Sequence, residues 1–116
     1  MAKPGLTFEQ ARRIALALPT VTEGSYYGRP AFFRDGAFFL GYRKDIEALV
    51  VKISFDDRDL LMRAKPETFF ITDHYLNYPS MLVRLATVRA GEARQVIENS
   101  WEGAQPPKRK PRSKPR

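Results

Sequence analysis

Apolar positions recur along this chain at two periods, and the change of period separates helices from strands. Thr7 followed by Gln10 is a helix-start signal, because each side chain can satisfy the other's free backbone N–H. Phe8, Ala11, Ile14, Ala15 and Leu18 then trace one helical face until Pro19, which cannot continue the hydrogen bonding. Residues 31–34 and 37–42 are rich in aromatics and flank Asp35-Gly36, a dipeptide suited to a two-residue hairpin turn. Residues 48–55 alternate and predict a third strand, which makes a meander. Asp56 reads as the N-cap of a short helix carrying Asp57 and Asp59 in its first turn and Leu60, Leu61 and Met62 behind, closed by Pro66. Residues 69–72 and 81–88 predict two further strands. Ala93, Val96, Ile97, Ser100, Trp101 and Ala104 fall at i, i+3, i+4, i+7, i+8 and i+11, the stripe of an amphipathic terminal helix. The expected class is α+β, an antiparallel meander with the N- and C-terminal helices packed on one face.

Composition narrows the class of protein. The chain has 116 residues, 43% hydrophobic and 28% charged, enough for one domain with one modest core. No apolar run reaches the roughly 20 residues of a membrane span, and residues 1–5 lack the apolar core of a signal peptide. There is no cysteine, so disulfides, thiolate chemistry and Cys-ligated zinc are excluded. A cytoplasmic monomer is the expected state.

Charge is what sets one segment apart. Lys108, Arg109, Lys110, Arg112, Lys114 and Arg116 carry six positive charges with no acid among them, so the net +7 falls to about +1 on residues 1–107. Prolines at 106, 107, 111 and 115 oppose a helix there, and nothing apolar is available to bury. Residues 1–104 are therefore expected to form the domain and 105–116 a disordered basic arm. Such an arm can neutralise phosphates and release counterions, which gives affinity without sequence preference.

The hairpin offers a second basic element. If Asp35-Gly36 is the turn, Phe33 pairs with Phe38 and Phe32 with Phe39. Ala31, Phe33, Phe38, Leu40 and Tyr42 then share one face, and Phe32, Arg34, Phe39 and Arg43 the other. Lys52 and Arg84 sit between apolar neighbours on adjoining strands. Arg34, Phe39, Lys52 and Arg84 on one open face would join base stacking to phosphate contact. A helix lying over Phe32 and Phe39 would abolish that surface.

The stretch 69–85 holds the only histidine, His74, beside Asp73 and close to Tyr75, Tyr78 and Pro79. A general base needs an orienting partner, but neighbours on a strand point to opposite faces, so Asp73 is better placed to cap the loop. No nucleophile elbow or phosphate loop accompanies His74, and no enzymatic activity is expected. Tyr27, His74, Tyr75 and Tyr78 are the candidates for a recognition loop or pocket, with Tyr26 a possible neighbour. Hard cations need several converging carboxylates, and the nearest candidates, Asp56, Asp57 and Asp59, are explained by capping; no metal or cofactor is expected.

The blocks Glu23-Gly24-x-x-Tyr27-Gly28-x-Pro30-Ala31-Phe32, Leu49-Val50-Val51-Lys52, Thr72-Asp73-His74-Tyr75-x-x-Tyr78-Pro79 and Val83-Arg84-Leu85 together resemble the MmcQ/YjbR family. Their order and spacing extend over about residues 7–101. The resemblance implies a frataxin-like (CyaY-like) arrangement and a DNA-binding role. It leaves the basic arm outside the shared pattern. Two functions follow as expectations: a non-enzymatic nucleic-acid-binding protein, with DNA as partner, or a small-ligand or protein-partner domain built on the Tyr/His loop.

Overall fold

A computed structural model describes residues 5–104. The basic run at 108–116 and its six candidate phosphate contacts lie outside the described residues. The order is α1 (Phe8–Leu16), β1 (Val21–Tyr26), β2 (Arg29–Arg34), β3 (Ala37–Arg43), β4 (Ala48–Lys52), α2 (Phe55–Ala64), β5 (Phe69–Phe70), a 3-10 turn (Asp73–Tyr75), β6 (Ser80–Arg84) and α3 (Ala90–Gly103). Six antiparallel strands form one sheet in the order β1-β2-β3-β4-β6-β5. The class is α+β.

Local chemistry accounts for most boundaries. The Thr7–Gln10 capping box opens α1, with the Gln10 N–H donating to Thr7 Oγ1 at 3.1 Å. Asp35-Gly36 forms the β2–β3 turn with both residues at positive φ, the geometry that matches strand twist. Helix α2 starts earlier than Asp56: Ser54 is its cap, taking the Asp57 N–H at 3.1 Å, and this stops β4 at Lys52. Strands β5 and β6 are shorter than 69–72 and 81–88, because the chain turns after each to reach the 3-10 turn and α3. Strand β1 has no counterpart in the predicted elements. Its Val-Thr-Glu-Gly-Ser-Tyr sequence lacks apolar alternation, as an edge strand exposed along nearly its whole length can.

The register of the β2–β3 hairpin decides which side chains face where. Phe33 pairs with Phe38, but Phe32 pairs with Leu40 rather than Phe39, so Phe39 is the extra residue of a bulge. Phe39 and Leu40 therefore both enter the core, and every later side chain of β3 changes face. Tyr42 goes to the helical side, where its ring stacks on Phe8 at 4.3 Å, and Arg43 goes to the other. The core between sheet and helices joins Ala11 and Ala15 of α1 to Phe32, Phe39, Val51 and Ile97. Phe32 and Phe39 are both 0% exposed, and truncating either to Ala would cost about 3–5 kcal/mol.

Ser100 of α3 locks the bulge. Its hydroxyl donates to the Phe39 carbonyl, which the bulge removes from regular pairing, and accepts the Lys52 N–H at 2.9 Å. At the other end of α3, Lys65 pairs with Glu92. Burial raises the Glu92 carboxyl, but the Lys65 ammonium and the Arg89 N–H outweigh it and hold the group below its ordinary value.

Ser100→Ala would leave a buried carbonyl and a buried N–H without partners. Urea denaturation should show a loss of about 1–3 kcal/mol; an unchanged midpoint would mean that the bulge does not depend on this hydroxyl.

Candidate ligand-binding cleft

The sheet face opposite α1 and α3 is only half covered. Over β4 and β6 lies the segment from β5 to β6, whose Tyr75 packs with Ala48 and Leu82, and with Val50, Phe70 and Ile71 at the margin. Between this segment and the β1–β2 hairpin a cleft of about 580 Å³ remains open. Tyr26, Tyr27 and Phe38 form one wall, His74, Tyr75 and Tyr78 the other, and Arg29 and Arg43 also line it.

Each wall follows from sequence. The β1–β2 turn is Tyr27-Gly28 with φ of 54° and 77°, a type I′ turn that normally takes Asn-Gly. Tyr27 is therefore held in a left-handed conformation costly for a bulky residue, and it is 88% exposed. Its ring meets Tyr26 edge-on at 4.6 Å, and Tyr26 stacks on Phe38 at 5.0 Å. Phe38 lies flat across β3 because residue 41 is glycine: a Cβ there would come within 3.1 Å of the Phe38 ring. On the opposite wall His74 meets Tyr75 edge-on at 4.9 Å and faces Tyr78 at 6.1 Å. Asp73 makes no ion pair with His74, so no carboxylate–imidazole dyad forms among the described residues.

Arg43 joins the walls at the base. It donates to both Asp45 oxygens at 3.2 and 2.7 Å and to the Tyr75 hydroxyl at 3.4 Å. These bonds, Asp45 first, outweigh burial and raise its pKa, so its charge is fixed. Asp45 is lowered chiefly by the same contact, and nearby Arg29 adds to the effect. The arrangement presents ring faces and edges together with Arg29 and an Arg43 whose charge is matched by Asp45. It suits a planar, anionic ligand.

Of the pocket candidates, Tyr27, His74, Tyr75 and Tyr78 come together with Tyr26 in this cleft. The expected basic-aromatic face made of Arg34, Phe39, Lys52 and Arg84 does not exist. Phe39 is core. Arg34 lies under α3, stacked 4.0 Å over Trp101 and donating at 2.9 Å to the Trp101 carbonyl, where a cation complements the helix C-terminus. Lys52 lines a separate cleft with Ile53, Asp57 and Leu60. Arg84 is on the same sheet face as the cleft but away from it, 4.4 Å over Phe70 and bonded to the Glu67 carbonyl. The residues missed were Arg29, Phe38 and Arg43. The bulge turns Arg43 to this face and Gly41 makes room for Phe38, neither visible in the periodicity, and Arg29 follows the turn from the unpredicted strand β1.

Fold and cleft define a small α+β protein with a tyrosine-walled groove. No family model matches the chain, and no curated protein or solved structure matches it either. Among the described residues no three metal-ligating side chains converge, and no helix is long and apolar enough to cross a membrane.

Tyr27→Asn should separate the fold from the site. Asn adopts positive φ readily, and Tyr27 contributes little burial, so relief of strain should raise unfolding free energy by roughly 0.5–1 kcal/mol in thermal or urea melts. A destabilised variant would mean that the Tyr26–Tyr27 contact, not a ligand, accounts for the tyrosine.

Proposed function

We propose that the protein is a non-enzymatic nucleic-acid-binding module that takes single-stranded DNA in the tyrosine-walled cleft. The observation that carries this reading is the meeting of Tyr26, Tyr27, Phe38 and Tyr78 with Arg29 and Arg43 around one groove. Aromatic rings bind any base through its π-face, worth about 1–3 kcal/mol per base, and only an unpaired strand exposes those faces. Arg29 supplies a phosphate contact at the cleft, and the six cations of residues 108–116 add attraction without sequence preference. The motif resemblance to the MmcQ/YjbR family, with its DNA-binding role, agrees with this choice of ligand. The absence of cysteine suits action in a reducing cytoplasm. His74 works here as a ring and a hydrogen-bonding edge, with no orienting acid paired to it among the described residues.

A second reading has a specific observation behind it. The cleft volume of about 580 Å³ falls within the range of pockets for small molecules. A planar anionic metabolite would use the same walls but show little of the salt dependence of a polyanion.

Fluorescence anisotropy with labelled single-stranded DNA, the matching duplex and single-stranded RNA decides between them, at about 50 and 200 mM salt. Single strands should bind more tightly than duplex. Tyr78→Ala should weaken binding by about 1–3 kcal/mol with the salt slope unchanged, whereas Arg29→Ala should lower the slope by about 0.7. Equal affinity for duplex together with an inert Tyr78→Ala would reduce the interaction to the basic arm and overturn the cleft as its site.

A further inference from the structure

Arg58 is the one buried residue of α2, only 5% exposed on a helix whose other polar groups face water. Its guanidinium reaches no carboxylate among the described residues. Nη1 donates to the carbonyls of Tyr75, Tyr78 and Ser80 at 3.1, 2.8 and 3.2 Å, and Nη2 donates to that of Leu76 at 3.1 Å. Four carbonyls from one irregular segment thus converge on a single cation, with Phe55 4.9 Å from it. Nε is buried without a partner.

Burying a cation with no counterion is costly, and an arrangement that does so for stability alone is a poor one. What it achieves is geometric. Tyr75, Leu76 and Tyr78 lie outside the strands, and a planar fork of donors fixes their carbonyls, with that of Ser80 at the start of β6, at set angles. The same segment carries Tyr75 and Tyr78 on one wall of the cleft, with His74 just before it. The main core between sheet and helices draws only Leu61 and Met62 from α2, so Arg58 belongs to the wall more than to the core.

We infer that Arg58 is a positioning residue for the cleft: it touches no ligand and acts by holding the wall of His74, Tyr75 and Tyr78 at the right distance from Tyr26 and Phe38. The inference rests on the cleft being the binding site. Lysine in its place keeps the charge but ends in one nitrogen instead of a planar fork, so the second arm that bonds the Leu76 carbonyl is lost and the angles of the others are no longer fixed.

The test uses the full chain with Arg58→Lys, and Arg58→Met as a variant that keeps only the packing. The sole histidine gives a single imidazole Hε1 resonance, a reporter of the wall that needs no ligand. Arg58→Lys should shift or broaden that resonance in the free protein and weaken binding of a labelled oligothymidine by roughly tenfold. In Arg58→Met, which removes the charge, the salt slope should stay at the wild-type value, since no phosphate contact is lost. Unchanged resonance and affinity in both variants would overturn the inference, and so would a lowered salt slope, which would make Arg58 a direct contact. Should the wild type bind no oligothymidine, the nucleic-acid reading fails separately. The resonance alone then decides: a shift upholds the positioning role, and none overturns it.

Discussion

One hydrogen-bonded bulge determines which side chains of β3 face the helices and which line the open cleft. With Phe39 inserted into β3, the strand places Phe39, Leu40 and Tyr42 toward the helices and Phe38, Gly41 and Arg43 toward the open face. Without it, strict alternation would send Tyr42 out and Arg43 in, exchanging a core ring for a charge. The inserted residue's carbonyl would be a buried orphan but for Ser100, which also takes the Lys52 N–H and so pins β3 and β4 to α3. Core, cleft and terminal helix therefore depend on the same hydroxyl.

Around that bulge the two walls of the cleft are held by unlike means. The hairpin wall is rigid through local geometry: a type I′ turn carrying a strained tyrosine, and a glycine that lets Phe38 lie down. The opposite wall has no strand of its own and is hung from Arg58 by its carbonyls. Both devices spend local stability, one as backbone strain and the other as a desolvated cation, and both act where rings line the groove. Conflicts between local preference and structure that gather at one place are what a functional site produces.

The helices, the Asp35-Gly36 turn and the antiparallel class were legible because capping residues, apolar periods and turn dipeptides act locally. The register beyond Phe33–Phe38 was not legible, since a bulge leaves no trace in composition and is fixed by Ser100, 61 residues away. Strand β1 escaped because an exposed edge has little to alternate. Of the candidate site, Tyr27, His74, Tyr75 and Tyr78 were visible as polar aromatics beside turn signals. Phe39 and Arg34 lie on the face that alternation assigns them with Phe32, but α1 and α3 cover that face, and Trp101 takes up Arg34; only Arg43 was displaced from it by the slipped register. Arg58 stands among Asp56, Asp57 and Asp59 at the start of α2, where nothing in the sequence sets it apart. Only the fold reveals that its guanidinium points inward.

The most direct measurement is a backbone amide NMR titration of the full chain with a short oligothymidine. The account predicts that the largest shifts in the body fall on Tyr26, Tyr27, Arg29, Phe38, Arg43 and residues 74–78. Shifts confined to residues 105–116, or centred on α1 and α3, would contradict it.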